Sequence, residues 1–292
     1  MIHIILLLAL PLSLLFQADD YDSGISHDDL RVLSFNIRFD NPSDGPNAWE
    51  NRKEKAASVI RLHDADLVGL QEALLHQLED LQDELDGYGR IGVGRDDGET
   101  EGEFTAILYR KGSVTPLKSG TFWLSETPSV PGSKSWDAAI TRICTWAEFE
   151  HTQTGEVFYL FNTHYDHIGE EARLESSKLI LNKIEEIAGD SPVVLTGDFN
   201  ATEDSQPYKV LVENAKGESG VNLQDAFYKT VHEHHGPTST WSGFTEIVPD
   251  RRIDYIFVNP DVTVKQHAIL ADQWDGRFPS DHLPVLAEIT ID

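Results

Sequence analysis

A chain of 292 residues with 40% hydrophobic composition is long enough to bury one substantial core, and a single folded domain is the expectation. Its 50 Asp and Glu against 23 Lys and Arg give a formal net charge of −27, which favours solubility and repels polyanions. No basic cluster stands out, so strong duplex nucleic-acid binding, which depends on Lys and Arg neutralising phosphates, is not expected.

The first residues form an apolar run from Ile4 to Phe16, closed by Gln17 and Ala18 and followed by Asp19-Asp20, the pattern of an export signal over residues 1–18. A membrane-spanning helix needs roughly 20 apolar residues. This run is shorter and is interrupted by Pro11 and Ser13. The expectation is an exported protein, periplasmic or extracellular, a monomer with no stable membrane span. His3 stands where Lys or Arg is usual in a signal, so an uncleaved anchor is the alternative. Residues 19–29 are acidic and poor in large apolar side chains, which suits a linker, and the folded domain is expected over residues 30–292.

Within that domain, β-rich runs recur at Arg31–Ile37, Asp66–Leu70, Phe104–Tyr109, Ile143–Phe149, Val157–Asn162, Val193–Thr196, Ile253–Val258 and Val285–Ile291. Helical periodicity appears over Arg52–His63, Leu74–Leu85 and Glu170–Ala188, the last placing Leu174, Leu181, Ile184 and Ala188 on one face. Strands mixed with helices, without strict alternation, predict an α/β fold, a four-layer sandwich of two packed mixed β-sheets flanked by helices. Gly-, Pro- and Asp-rich loops at Asp40–Asn51, Gly92–Gly102, Thr127–Asp137 and Thr230–Pro249 are the expected rim of a pocket. The single cysteine, Cys144, rules out an internal disulfide and, between Ile143 and Thr145-Trp146, reads as a buried strand residue.

Polar residues with chemical potential sit at or just beyond the C-terminal ends of several of these strands. Asn36 lies in Ser-Phe-Asn-Ile-Arg, Glu72 follows Val-Gly-Leu-Gln, and His164 closes Phe-Asn-Thr-His. Asp198 and Asn200 lie in Gly-Asp-Phe-Asn, Asp254 in Arg-Arg-Ile-Asp-Tyr, and Asp281 and His282 in Pro-Ser-Asp-His-Leu. Singly, each has an ordinary reading: a strand end, a helix cap, a satisfied histidine, a turn. Together and in this order, from Leu30 to the C-terminus, they resemble the endonuclease/exonuclease/phosphatase superfamily, which includes apurinic-site endonucleases, pancreatic-type deoxyribonucleases, deadenylases, inositol polyphosphate 5-phosphatases and neutral sphingomyelinases.

The resemblance implies hydrolysis of a phosphomonoester or phosphodiester with help from a divalent cation. Such a reaction requires water placed in line with the leaving oxygen and stabilisation of charge on the phosphoryl oxygens. Mg²⁺ takes few carboxylates and keeps several waters, so Glu72 aided by Asn36 suits a first site and Asp281 a second contact, with Mn²⁺ the alternative ion. By the resemblance, Asp198 orients or deprotonates the attacking water, Asn200 holds a phosphate oxygen, and Asp254 orients His282, which contacts phosphate or transfers a proton. His164 resembles the histidine of the deoxyribonuclease, 5-phosphatase and sphingomyelinase branches, a general acid or phosphate ligand. Arg38 departs from the apurinic endonucleases, which carry an acidic residue at that position.

Other features allow two readings each. Trp49, in the loop after Asp40, either stacks on a substrate ring or anchors the loop. Arg110 and Arg142 either reach a substrate phosphate or pair with carboxylates. The His232-Glu233-His234-His235 tract has metal-binding residue types without the spacing that sets two ligands on one helical face, and reads as a solvated loop. The rivals to a Mg²⁺-dependent phosphomonoester or phosphodiester hydrolase are an exported metal-dependent nuclease and a non-catalytic binding protein on the same fold. The second is disfavoured because Glu72, Asp198, Asn200, Asp254 and His282 are all present.

Overall fold

A computed structural model describes residues 28–213 and 220–292. The expected signal and most of the acidic linker lie outside the described residues.

In chain order the strands are β1 (Asp29–Asn36), β2 (Leu67–Gln71), β3 (Tyr88–Ile91), β4 (Ile107–Arg110), β5 (Val114–Trp123) and β6 (Ile143–His151). There follow β7 (Val157–His164), β8 (Val193–Asp198), β9 (Gln224–Asp225), β10 (Asp254–Val258), β11 (Val262–Ile269) and β12 (Val285–Ile291). The helices are α1 (Lys53–Leu62), α2 (Leu75–Glu84), α3 (Glu170–Ala188), α4 (Gln206–Glu213) and the single turn α5 (Ala226–Lys229). Two six-stranded sheets result, ordered β11-β12-β1-β2-β4-β3 and β5-β6-β7-β8-β10-β9.

Each sheet is built around one parallel pair, β1 with β2 and β7 with β8, and the other pairings are antiparallel. A parallel pair needs a crossover, and α1 and α3 supply it. Strands buried on both faces read as continuous apolar runs, which is why Leu67–Gln71 and Val193–Asp198 are buried at every position. Alternate residues of β1 serve different layers: Leu30 and Val32 meet Phe158, Leu160 and Ile256 between the sheets, while Leu33 and Phe35 meet Val59, Ile60 and Leu78 under α1 and α2. On the far side Phe161 and Leu195 pack with Ile180, Leu181 and Ile184 of α3 and Leu211 of α4. The order of layers is therefore helix, sheet, sheet, helix, as the sequence predicts.

Elements the sequence reading passed over have local causes. β5 is an edge strand carrying Pro116 and Gly120, with its register shifted between Pro116 and Lys118, so its alternation is broken. β11 carries a similar irregularity between Val264 and Gln266. β3 and β9 are short, and α4 has only two turns. Cys144 is buried in β6, where burial pushes its thiol well above the usual range.

At one end of the sandwich the sheets are joined by polar contacts rather than apolar packing. Asn162 Nδ2 donates to the carbonyls of Leu70 at 2.8 Å and Ala106 at 3.0 Å, and its Oδ1 accepts from Gln71 Nε2 at 2.7 Å. This closeness depends on Gly69. A Cβ there would strike Thr196 Oγ1 and lie 2.6 Å from Asn162 Oδ1.

Candidate active site

Asn36, His164 and Asp198 are the last residues of β1, β7 and β8, and Glu72 directly follows β2, so both parallel pairs deliver their C-terminal ends to one rim. Parallel alignment does this by construction, because the crossover brings the next strand in pointing the same way. β10 runs antiparallel to β8, and its first residue, Asp254, lies opposite Asp198 in the register. Asp281 and His282 precede β12. All eight residues singled out by the sequence converge on this rim.

Asn36 Nδ2 bridges two carboxylates, Glu72 Oε1 at 3.0 Å and Asp198 Oδ2 at 2.9 Å, while its Oδ1 accepts the Arg38 N–H at 2.9 Å. It thus holds Glu72 and Asp198 together, while its own amide oxygen, expected as a metal ligand, is already engaged. Glu72 stands in the left-handed region with φ 62°, a conformation that costs a non-glycine residue energy and turns its carboxylate inward. Burial works against its ionisation, but His282, the Asn36 and Phe39 N–H donors and Arg38 overcome this and hold its carboxyl below the ordinary range. Arg38 lies between Glu72 Oε2, at 3.8 Å, and Asp281 Oδ2, at 3.9 Å. Burial pushes the Asp281 carboxyl up.

Asp198 is 1% exposed, and burial, reinforced by Asp254, pushes its carboxyl up to about 7. Its Oδ2 lies 3.4 Å from His164 Nε2 and 3.7 Å from His282 Nε2. His282 Nδ1 is 2.9 Å from Asp254 Oδ2. Burial alone would lower the His282 pKa, but Asp254 and Asp198 raise it well above the ordinary value, so this ring is an imidazolium at neutral pH. His164 behaves oppositely: burial, Arg142 and Arg95 hold it well below the ordinary value and leave it neutral. Asn200 Nδ2 donates to His164 Nε2 and to the Tyr165 carbonyl, both at 3.1 Å. His164 Nε2 is therefore an acceptor, and Asn200 must exchange one of these bonds to hold a phosphate oxygen.

The donor set suits a divalent cation. Among the described residues, groups with metal-ligand atoms within 4.8 Å of one another are Glu72, His164 and Asp198, and Asp198, Asp254 and His282. Hard carboxylate oxygens crowded into a buried rim are the ligands Mg²⁺ and Mn²⁺ take.

Residues without a local sequence signature hold the rim in shape. Arg52 donates to the carbonyls of Ile37, Asn47 at 2.8 Å and Arg38 at 2.7 Å, tying the loop after β1 to the start of α1. Thr240 Oγ1 accepts from Ile253 N at 3.0 Å and Asp254 N at 3.2 Å, while its carbonyl accepts from Leu283 N at 2.6 Å, so it locks Asp254 to the His282 segment. Neither carries a local signature: Arg52 reads as the start of a helix and Thr240 as part of a polar loop.

The two-way readings resolve. Trp49 is a buried anchor, its Nε1 donating to Asp80 Oδ2 at 2.7 Å. Arg110 pairs with Asp64 at 2.6 Å and Asp66 at 3.4 Å, at the end of β2 opposite Glu72. Arg142 instead lines the active rim beside His164. In the histidine tract, His234 contacts His267 Nδ1 at 2.9 Å and the Pro237 carbonyl at 2.8 Å, away from the rim.

Known proteins share this fold. An endonuclease/exonuclease/phosphatase from Bacteroides vulgatus superposes with a TM-score of 0.85 at 43% identity, covering 90% of this chain and 99% of that one. A mannosyl-6-phosphatase from Bacteroides thetaiotaomicron VPI-5482 superposes with a TM-score of 0.83 at 40% identity, covering 90% and 100%. An uncharacterized protein of Acanthamoeba polyphaga mimivirus is 26% identical over 271 residues, 88% of this chain and 98% of its own length. The Endonuclease/Exonuclease/phosphatase family profile matches residues 33–282. That span runs from β1, which carries Asn36, to His282, and with the two-sheet fold it establishes that this chain belongs to the endonuclease/exonuclease/phosphatase family.

Proposed function

We propose that this protein is an exported, Mg²⁺-dependent phosphatase that removes the phosphoryl group of a sugar phosphate. The observation that carries the reading is the pairing, on one rim, of a carboxyl raised to about 7 with an imidazolium, Asp198 beside His282. A base poised near neutral pH and a fixed cation next to it suit attack of water on an anionic phosphoester.

Asp198 takes a proton of the water as the water oxygen bonds to phosphorus; the bond from phosphorus to the ester oxygen breaks, and the departing sugar oxygen takes its proton from solvent, leaving free sugar and inorganic phosphate. His282, held by Asp254, directs Nε2–H to a phosphoryl oxygen and keeps its charge there. Glu72, held by Asn36 and the Phe39 N–H, would be the anionic ligand for Mg²⁺, with Asp281 and His164 alongside. The ion, when bound, supplies positive charge that offsets the phosphoryl oxygens.

The sugar half of the reading is supported by the likeness to a protein described as a mannosyl-6-phosphatase. A cleft of about 710 Å³ supports it too: Asn200 lines this cleft with Glu170, Arg173, Asp204 and Arg251, polar groups suited to hydroxyls. The charge of −27 weighs against nucleic acid. Export rests on the Ile4–Phe16 run.

The test is a panel of mannose 6-phosphate, other hexose phosphates, inositol phosphates, phosphosphingolipids, DNA and RNA, assayed with Mg²⁺ and with chelator. Release of phosphate from a hexose phosphate that stops on chelation is expected. Cleavage of DNA or RNA with no activity on sugar phosphates would overturn the reading.

A further inference from the structure

Beyond the eight rim residues, a small cavity opens next to His164, lined by Arg95, Glu103, Phe104, Thr105, Arg142 and Ile143. Its volume is about 10 Å³, room for one oxygen atom and no more. Arg142 is 5% exposed at the start of β6. Its Nη2 contacts His167 Nδ1 at 3.3 Å, but its Nε and Nη1 have no hydrogen-bond acceptor among the described residues. A buried guanidinium with two unused donors is costly unless something else fills them.

Charge counting points the same way. Glu103 is committed to Arg95 at 2.6 Å and stands 4.0 Å from Arg142 Nη1, beyond hydrogen-bond reach. Asp96 reaches only Arg95, at 3.8 Å and from the exposed side. Glu103 is thus shared between two guanidinium groups and leaves Arg142 Nε and Nη1 without an acceptor. Glu72 and Asp198 also act on Arg142 electrostatically, which places its guanidinium toward the reacting centre.

We propose that Arg142 binds a terminal phosphoryl oxygen and makes the site selective for phosphomonoesters over phosphodiesters; the proposal rests on the phosphoesterase reading above. The Glu72 and His282 sides of the rim each face one phosphoryl oxygen, and the Arg142 cavity takes a third. A monoester has three terminal oxygens. A diester has two, and its second ester chain does not fit a cavity for one atom, so it leaves the guanidinium unfilled. Arg142 is then a catalytic residue in direct contact with substrate, since its donors follow the oxygens as charge develops on them.

The test compares the parent with Arg142→Gln and Arg142→Lys, each first checked for folding by thermal melting. Hydrolysis of mannose 6-phosphate and bis(p-nitrophenyl) phosphate is measured with Mg²⁺, and binding of inorganic phosphate by calorimetry without metal. The parent is expected to prefer the monoester. Arg142→Gln should lower kcat/KM on the monoester about 10²-fold, the scale seen on losing one oxyanion donor, and on the diester less than about tenfold. Phosphate binding should weaken with it, and Arg142→Lys should recover part of both losses, keeping the charge but not the fork. Equal losses on both esters, unchanged phosphate binding, or a parent that prefers the diester would overturn the assignment. If Arg142→Gln does not fold, the same criteria apply to Arg142→Lys and to the parent's preference. A parent that hydrolyses neither ester removes the phosphoesterase reading as well, whereas an active parent with indifferent variants removes Arg142 alone.

Discussion

Replacing Asp198 by Asn is expected to slow turnover and yet make the folded protein more stable above pH 7. In the fold this carboxyl is 1% exposed and is pushed up to about 7 from its ordinary 3.8. A raised acid costs nothing below its unfolded value; as pH climbs from 4 to 7 the unfolded chain releases the proton and the folded one does not, so stability falls across that window and levels off above it. About three pH units at roughly 1.4 kcal/mol each set a ceiling of ~4 kcal/mol. Asn has one acceptor oxygen where Asp198 uses two, so the variant keeps only one of the bonds from Asn36 Nδ2 and Asn200 N–H, each at 2.9 Å, and must place its own amide N–H₂. A net gain of about 1–2 kcal/mol at pH 8 is expected, roughly 2–8 °C in Tm for a domain near this size. Thermal melts of both proteins in chelator from pH 5 to 8.5 measure it, alongside a rate loss of about 10² or more. A difference in Tm that does not grow with pH would refute the burial argument, and parental activity in the folded variant would remove Asp198 from the chemistry.

Glu72→Gln removes the anionic cation ligand, so activity should fall with a raised Mg²⁺ requirement and partial recovery at high Mg²⁺; loss that no Mg²⁺ concentration relieves would contradict the ligand role. Asp254→Asn takes away a carboxylate that keeps His282 protonated well above its ordinary value, so the alkaline limb of kcat/KM against pH should move toward acid. An unmoved limb would show that His282 is not the group titrating there. Gly69→Ala forces a methyl group against Thr196 and Asn162 between the sheets and should cost about 1–3 kcal/mol, read as a lowered midpoint in urea. The mature protein is expected to begin near Asp19, which intact-mass measurement on protein from the producing cells would check; Met1–Phe16 retained in a membrane fraction would favour the anchor.

Much of the fold was legible in the sequence because burial on two faces leaves a local trace. The uninterrupted apolar runs of β2 and β8 and the long helical stripe of α3 announce themselves without reference to the rest of the chain. β5 and β11 did not, since an edge strand with a proline and a strand with a register shift lose the alternation that identifies them. Five of the eight chemical residues lie at or just beyond the C-terminal ends of strands, as the sequence predicts, whereas Asp254, Asp281 and His282 stand at the N-terminal ends of β10 and β12 because those strands run antiparallel to their neighbours. What the sequence by itself determined was therefore which segments are strands or helices and which residues terminate them.

Tertiary structure alone decided what those residues do to one another. Asp198 and His282 are separated by the whole of β9 to β11 in the chain, yet a 3.7 Å approach under burial leaves one near neutral titration and the other charged. His164 and His282 are the same residue type with opposite shifts: burial, reinforced by Arg142 and Arg95, lowers the first, whereas Asp254 and Asp198 overcome burial and raise the second. The same holds for Arg110 and Arg142, equivalent at the edge of a strand in sequence: the first meets Asp64 and Asp66 in solvent reach, and the second is buried with donors to spare. Side-chain chemistry is local, but the field and the desolvation that set it come from residues brought together only when the two sheets pack, and no spacing along the chain records them.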